Sequence, residues 1–266
     1  MGMGRIVYKN ANELEKMRAA GRVVSAVLAA LRDAVKPGVS TKELDQIAFD
    51  MIREAGGTPS FLNYRVGGYV FPASICASID EEVVHGIPSK ARVLREGQLL
   101  KVDVGVRLNG FHGDSAITIP VGKVSEEAER LMRVTRESLW EGIRAIRYRG
   151  RLQDVSKAIQ DHVEKNGFSV VKQMVGHGVG KKLHEEPQIP NYVAHGAPNP
   201  PLLEGMTLAI EPMVNAGVDE IETLSDNWTV VTADRKQSAH FEHTVAVTRS
   251  GYDVLTLGPH DWGPSA

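Results

Sequence analysis

One cysteine, Cys76, is the whole thiol content of this 266-residue chain, so no internal disulfide staples it and a reducing compartment suits it. Long apolar runs are also missing. The longest, VVSAVLAAL from Val23 to Leu31, is about half of what a bilayer span needs. The opening MGMGRIVYKN lacks the apolar stretch of a secretory signal. Neither sign of charge dominates: 31 Lys+Arg stand against 33 Asp+Glu, net -2, so no global basic field recruits DNA. These absences point to a cytoplasmic protein with no membrane partner, and no apolar surface stripe argues against a monomer. At 42% hydrophobic, the chain can bury a full core as one domain over residues 1–266.

What is present includes a phrase used twice. Residues 96–103 read EGQLLKVD and residues 204–211 read EGMTLAIE, each ending an apolar run on a carboxylate. A second pair follows, Asp114 opening DSAIT and Glu242 opening EHTVAVT. The surrounding helical patterns repeat as well. Asn12 to Val35 and a Ser40/Glu43 capping box leading to Ala55 have counterparts in Ser125 to Ile146 and Leu152 to Asn166. Leu44, Ile52 and Gly56 align with Val155, Val163 and Gly167 at one constant offset. The expected plan is α+β, with pseudo-symmetric halves of about 10–122 and 123–258 that share one core and meet at a curved sheet.

Leu99 to Arg107 and Phe111 to Pro120 flank Asn109-Gly110, a strong two-residue hairpin signal. Strand alternation then puts Asp103 opposite Ala116 and Asp114 opposite Gly105, on one face. In the second half His177 lies between two glycines, Glu211 follows a core-facing Leu208/Ile210 alternation, and Glu242 shares a face with Thr244 and Ala246. A solvated hairpin and a glycine-flanked structural histidine are the bland readings of each feature alone. The repeat favours a joint one. Four buried carboxylates repel one another unless cations neutralise them. An oxygen-rich set with one imidazole suits Mn, Fe or Co, with Zn possible, and two cations would equip it for hydrolysis. A competing scheme uses His112 and Asp114 with His177 or His184 as a mononuclear iron oxygenase site, but leaves Asp103, Glu211 and Glu242 unused.

These residues sit in segments that extend the pattern: FPASICASIDEEVVHGIP (71–88), KVDVGVRLNGFHGDSAITIPVG (101–122), GHGVGKKLHEEPQIPNY (176–192), GMTLAIEPMVN (205–215) and NWTVVTADRKQSAHFEHTVAVT (227–248). From roughly residue 10 to 258 the chain resembles the type I methionine aminopeptidases of the creatinase/aminopeptidase ("pita-bread") superfamily, peptidase family M24. The resemblance implies a pita-bread fold and two divalent cations (Co, Mn, Fe(II) or Zn) on Asp103, Asp114, His177, Glu211 and Glu242. Asp114 and Glu242 would bridge them. It implies catalytic roles for His85, His184 and Glu211, the last as proton shuttle. Phe61, Tyr64, Phe71, Cys76, Leu183 and Trp228, with the two histidines, would contact the substrate. The implied substrates are nascent polypeptides and peptides that begin with methionine, with a small second residue.

Two departures stand out. RVGGYV between Tyr64 and Phe71 is longer than the usual family link and borders the expected pocket. RYRGR joins the second-half helices, and Arg144, Arg147, Arg149 and Arg151 form either a solvated face or a weak ribosome contact. Within the fold, an X-Pro aminopeptidase or prolidase is the runner-up. Those enzymes usually carry an extra N-terminal domain, whereas here the pattern starts almost at residue 10. A non-catalytic relative would be expected to have lost ligands, yet all five positions are filled.

Overall fold

The computed structural model describes residues 4–259. Four helices carry the repeat: α1 (Ala11–Ala34), α2 (Thr41–Glu54), α3 (Glu126–Ala145) and α4 (Leu152–Lys165). Their starts follow from local chemistry. Asn10 with Glu13 and Ser40 with Glu43 close reciprocal capping boxes on α1 and α2. The Ser125 side chain accepts from the Ala128 amide at the start of α3, and Asp154 accepts from the Arg151 amide at the start of α4. Such side-chain oxygens satisfy amides that have no partner inside the helix.

The strands Leu99–Leu108 and Phe111–Pro120 form the hairpin that the Asn109-Gly110 turn predicts, with both turn residues at positive φ (52° and 83°). The register is the expected one, Asp103 opposite Ala116 and Gly105 opposite Asp114. On its other side Leu99–Leu108 pairs with Thr58–Pro59 and Cys76–Ile79. The second half builds a five-stranded antiparallel sheet in the order Glu185–Ile189, Gly176–Gly178, Thr207–Ile210, His243–Thr248, Gly251–Val254. Smaller antiparallel sheets complete an α+β pita-bread arrangement.

Hydroxyl groups join the halves. Thr244 Oγ1 donates to the Asp114 carbonyl at 2.8 Å and accepts from the Asp114 amide at 3.1 Å. Thr118 Oγ1 makes the same exchange with His240, and the Glu242 amide donates to the Ala116 carbonyl at 2.9 Å. One apolar core runs through both halves, from Val24, Leu28 and Leu44 through Val102 and Val104 to Leu131, Ile143, Leu208 and Val245. Helix α1 comes unusually close to the hairpin: a Cβ on Gly113 would stand 2.8 Å from the Gly21 nitrogen.

Two strand expectations change in extent. Phe168 to Val175 yields only the short strand Ser169–Val170. The run Gln237 to Val247 breaks at Phe241-Glu242 between Ser238–His240 and His243–Thr248, and this break carries Glu242 out of the ladder.

Candidate metal centre

Glu211 directly follows Thr207–Ile210 and Glu242 directly precedes His243–Thr248. Because Ile210 pairs with His243, both glutamates leave neighbouring strand ends together. Asp103 and Asp114 meet them from the hairpin of the other half. His177, opposite Ala209, sits where its strand is squeezed from both sides. A Cβ on Gly176 would stand 2.3 Å from the Ala209 carbonyl oxygen, and one on Gly178 2.3 Å from that of Glu186. Only glycine fits at either position.

The five side chains converge. His177 Nε2 lies 3.4 Å from Glu211 Oε1 and 3.9 Å from Asp114 Oδ2. One donor atom each from Asp114, His177 and Glu242 falls within 4.8 Å of the others. Burial, then mutual repulsion, pushes Asp114, Glu211 and Glu242 well above the ordinary carboxyl range. Burial raises Asp103 to about 7, and it lowers His177 to about 3. Both shifts run against ion pairing between His177 and these acids, since burial disfavours the charged form of each partner. Asp103 Oδ1, Asp114 Oδ1 and Glu242 Oε1 are buried with no hydrogen-bond partner. Orphaned carboxyl oxygens converging on one imidazole are what hard divalent cations require, so the residues fit such ions.

An apolar wall adjoins the acids. Phe61, Phe71, Ala73, Cys76 and Leu183 pack together, with Tyr64, Ile87 and Trp228 against them. Phe71 meets Trp228 edge-on at 5.2 Å between ring centroids. Cys76 lies opposite Asp103 on the adjacent strand, and burial pushes its thiol well up, so it is an inert apolar group. Tyr64 Oη hydrogen-bonds His184 Nδ1 at 2.5 Å, and the His184 ring stands 4.3 Å from that of His177. His85, its backbone at φ 61°, is lowered to about 4 by burial, then by facing His184. All thirteen residues nominated from the sequence line a single cavity of about 910 Å³.

His112 does not join them. It is absent from that lining: it shares the strand face of Asp114, but its Nδ1 bonds Ser60 Oγ at 2.8 Å. One residue escaped the sequence reading. His240, almost fully buried, has an unpartnered Nε2 that lies 3.8 Å from Glu211 Oε2. Its place two residues before Glu242 was the available signal.

Comparison with known proteins identifies the family. The curated methionine aminopeptidase 1 of Bacillus subtilis is 53% identical over 253 residues, covering 94% of this chain and 99% of the relative. The methionine aminopeptidase of Escherichia coli K12 is 46% identical over 261 residues, covering 98% and 97%. A crystal structure of methionine aminopeptidase from Thermotoga maritima superposes with a TM-score of 0.90 at 43% identity, covering 95% of this chain and 99% of that one. The profile that defines metallopeptidase family M24 matches residues 15–249, and the chain belongs to that family.

Proposed function

We propose that this chain acts as a methionine aminopeptidase, hydrolysing the first peptide bond of polypeptides that begin with methionine and carry a small second residue. One observation carries the proposal: orphaned buried acids share a cavity with an apolar, thiol-bearing wall that suits a thioether. Asp103, Asp114, His177, Glu211 and Glu242 would hold two divalent cations, Mn, Fe(II), Co or Zn. When bound, such cations polarise the scissile carbonyl and make a water nucleophilic at neutral pH.

The chain's own groups do the rest. Glu211, which would give up its own proton when cations occupy the site, takes a proton from the attacking water and returns it to the departing amine. The hydrogen bond between Tyr64 Oη and His184 Nδ1 orients the imidazole, and in the tautomer in which Tyr64 donates, His184 Nε2 carries the proton and donates to the developing oxyanion. His85, kept neutral by burial, hydrogen-bonds the scissile amide. Phe61, Phe71, Cys76, Leu183 and Trp228 enclose the methionine side chain and keep water from it.

The finer setting is also proposed: a cytoplasmic monomer working on nascent chains. Arg144, Arg147, Arg149 and Arg151 would add a weak ribosomal RNA contact, although Arg144 already pairs with Glu141 at 2.9 Å. Ribosome co-sedimentation that weakens with salt supports this contact, and absent or salt-insensitive co-sedimentation removes it.

The test of the main reading is a peptide comparison after reconstitution with Mn or Co, using substrates that begin Met-Gly, Met-Leu and Ala-Pro. Preference for Met-Gly supports the proposal. Preference for Ala-Pro favours an X-Pro aminopeptidase of the same fold.

A further inference from the structure

Residues 65–70, the stretch longer than the usual family link, fold into a small hairpin of their own. Arg65–Val66 pairs with Tyr69–Val70, with Val66 opposite Tyr69 and Gly67-Gly68 at the turn, both at positive φ (56° and 91°). Its two legs run straight into the apolar wall, because the Phe71 amide donates to the Tyr64 carbonyl at 2.8 Å. The hairpin is therefore anchored at the site while its tip stands in solvent.

Its surface is wrong for a mere solvated loop. Val66 and Tyr69 are 54% and 50% exposed, and a directly opposed antiparallel pair shares one face. Val66 lines the same cavity as the acids. Val7 lines it too and is 45% exposed, whereas Phe71 and Asp114 are 2% and 3% exposed. The acids and aromatics therefore form the floor, and the exposed rim is mixed: Val7 and Val66 supply its apolar part beside the charged Arg5, Lys181 and Lys182.

The N-terminal part of that rim is fixed in place. The Lys9 amide donates to the Gly205 carbonyl at 2.7 Å, and Lys9 Nζ pairs with Glu185 at 2.7 Å, both side chains nearly buried. The cavity, at about 910 Å³, lies near the upper end of pockets that hold whole drug-sized molecules, roughly 300–1,000 Å³. One methionine side chain and a small second residue leave much of it unfilled.

We infer that the 65–70 hairpin and Val7 form an outer subsite that binds the third to fifth residues of the substrate in extended form and favours apolar side chains there. The inference rests on the aminopeptidase reading and adds a selectivity that this reading does not contain. An extended chain advances about 3.4 Å per residue, so the third residue lies about 7 Å beyond the first, in reach of a rim continuous with the floor. Each strand of the hairpin has one neighbour, leaving its outer edge open to an added strand, and alternate side chains of an extended peptide would then meet Val66 and Tyr69.

The experiment uses the full chain reconstituted with Mn and two pentapeptides, Met-Gly-Leu-Val-Leu and Met-Gly-Ser-Ser-Ser. The wild-type protein is expected to favour the apolar peptide by about tenfold in kcat/KM, through KM rather than kcat, the low end of what one apolar contact contributes. In Val66→Ser/Tyr69→Ser the ratio between the peptides should fall to about one, at an unchanged melting temperature, because exposed substitutions rarely alter stability. A Val66→Ser single variant should fall in between. Wild-type indifference to the two peptides overturns the inference, as does a preference that survives the double substitution. Failure to cleave either peptide overturns the aminopeptidase reading with it, so the two failures are distinct.

Discussion

Replacing Asp103 by asparagine tests the electrostatic account of the centre without any catalysis. In the metal-free protein, burial holds the Asp103 carboxyl at about 7 against an ordinary 3.8. An acid whose folded value is raised keeps a proton that the unfolded chain has already released. Stability is therefore lost progressively as pH climbs from about 4 to 7. At about 1.4 kcal/mol per unit the full shift corresponds to about 4 kcal/mol. The neighbouring acids share their protons with Asp103, and water reaches the cavity mouth, so about 2 kcal/mol should be recovered on substitution.

Near pH 8 this raises the melting temperature of the metal-free variant by about 4–8 °C over wild type, given about 2–4 °C per kcal/mol in a chain of this size. Near pH 5 only about a third of that window has been crossed, so the advantage of the variant should shrink to about a third of its value at pH 8. The buried histidines impose an opposite slope. His177 and His240, lowered to about 3, take up protons on unfolding and favour the folded state less as pH falls below about 6.5. That trend is common to both proteins and cancels in the difference. Scanning calorimetry at both pH values in chelator is the assay. An equal shift at both, or a lower melting temperature for the variant at pH 8, refutes the reasoning.

Further outcomes follow from the same geometry. Adding Mn to metal-free protein at pH 7 in weak buffer should release protons, because Asp114, Glu211 and Glu242 hold them until a cation arrives; an unmoved indicator dye would contradict this. His112→Ala should leave bound metal, measured by elemental analysis, intact and cost about 1 kcal/mol for the lost Ser60 bond, whereas loss of metal would restore His112 as a ligand. Lys9→Met strands the nearly buried Glu185 carboxylate and should cost about 3–5 kcal/mol in urea unfolding, with much of it regained on adding Glu185→Leu.

Much of this was legible in the chain because its signals are local. The Asn109-Gly110 turn and strict alternation set the hairpin register, and with it the shared face of Asp103 and Asp114. The repeated carboxylate phrase pointed to the seam, where all the nominated side chains do share a cavity. What escaped depends on contacts distant in sequence. His240 gains its meaning only from the 3.8 Å approach to Glu211, and Lys9 only from its pairing with Glu185. The break at Phe241-Glu242 has no glycine or proline to announce it. It follows from the Glu242 amide turning to Ala116 in the other half. Stretch 65–70 read as a loop because its two-residue strands are too short to show alternation.

The near-touching backbones of Gly21 and Gly113 have one more implication. Gly113 immediately precedes Asp114, so main-chain collision, which gives way far less than side-chain packing, fixes how deep this acid sits. Drift at either glycine would move a reactive group as if by a wedge driven from behind. The long first helix is thus a backstop, and pressure applied to its outer surface would be felt at the chemistry before it was felt in the fold.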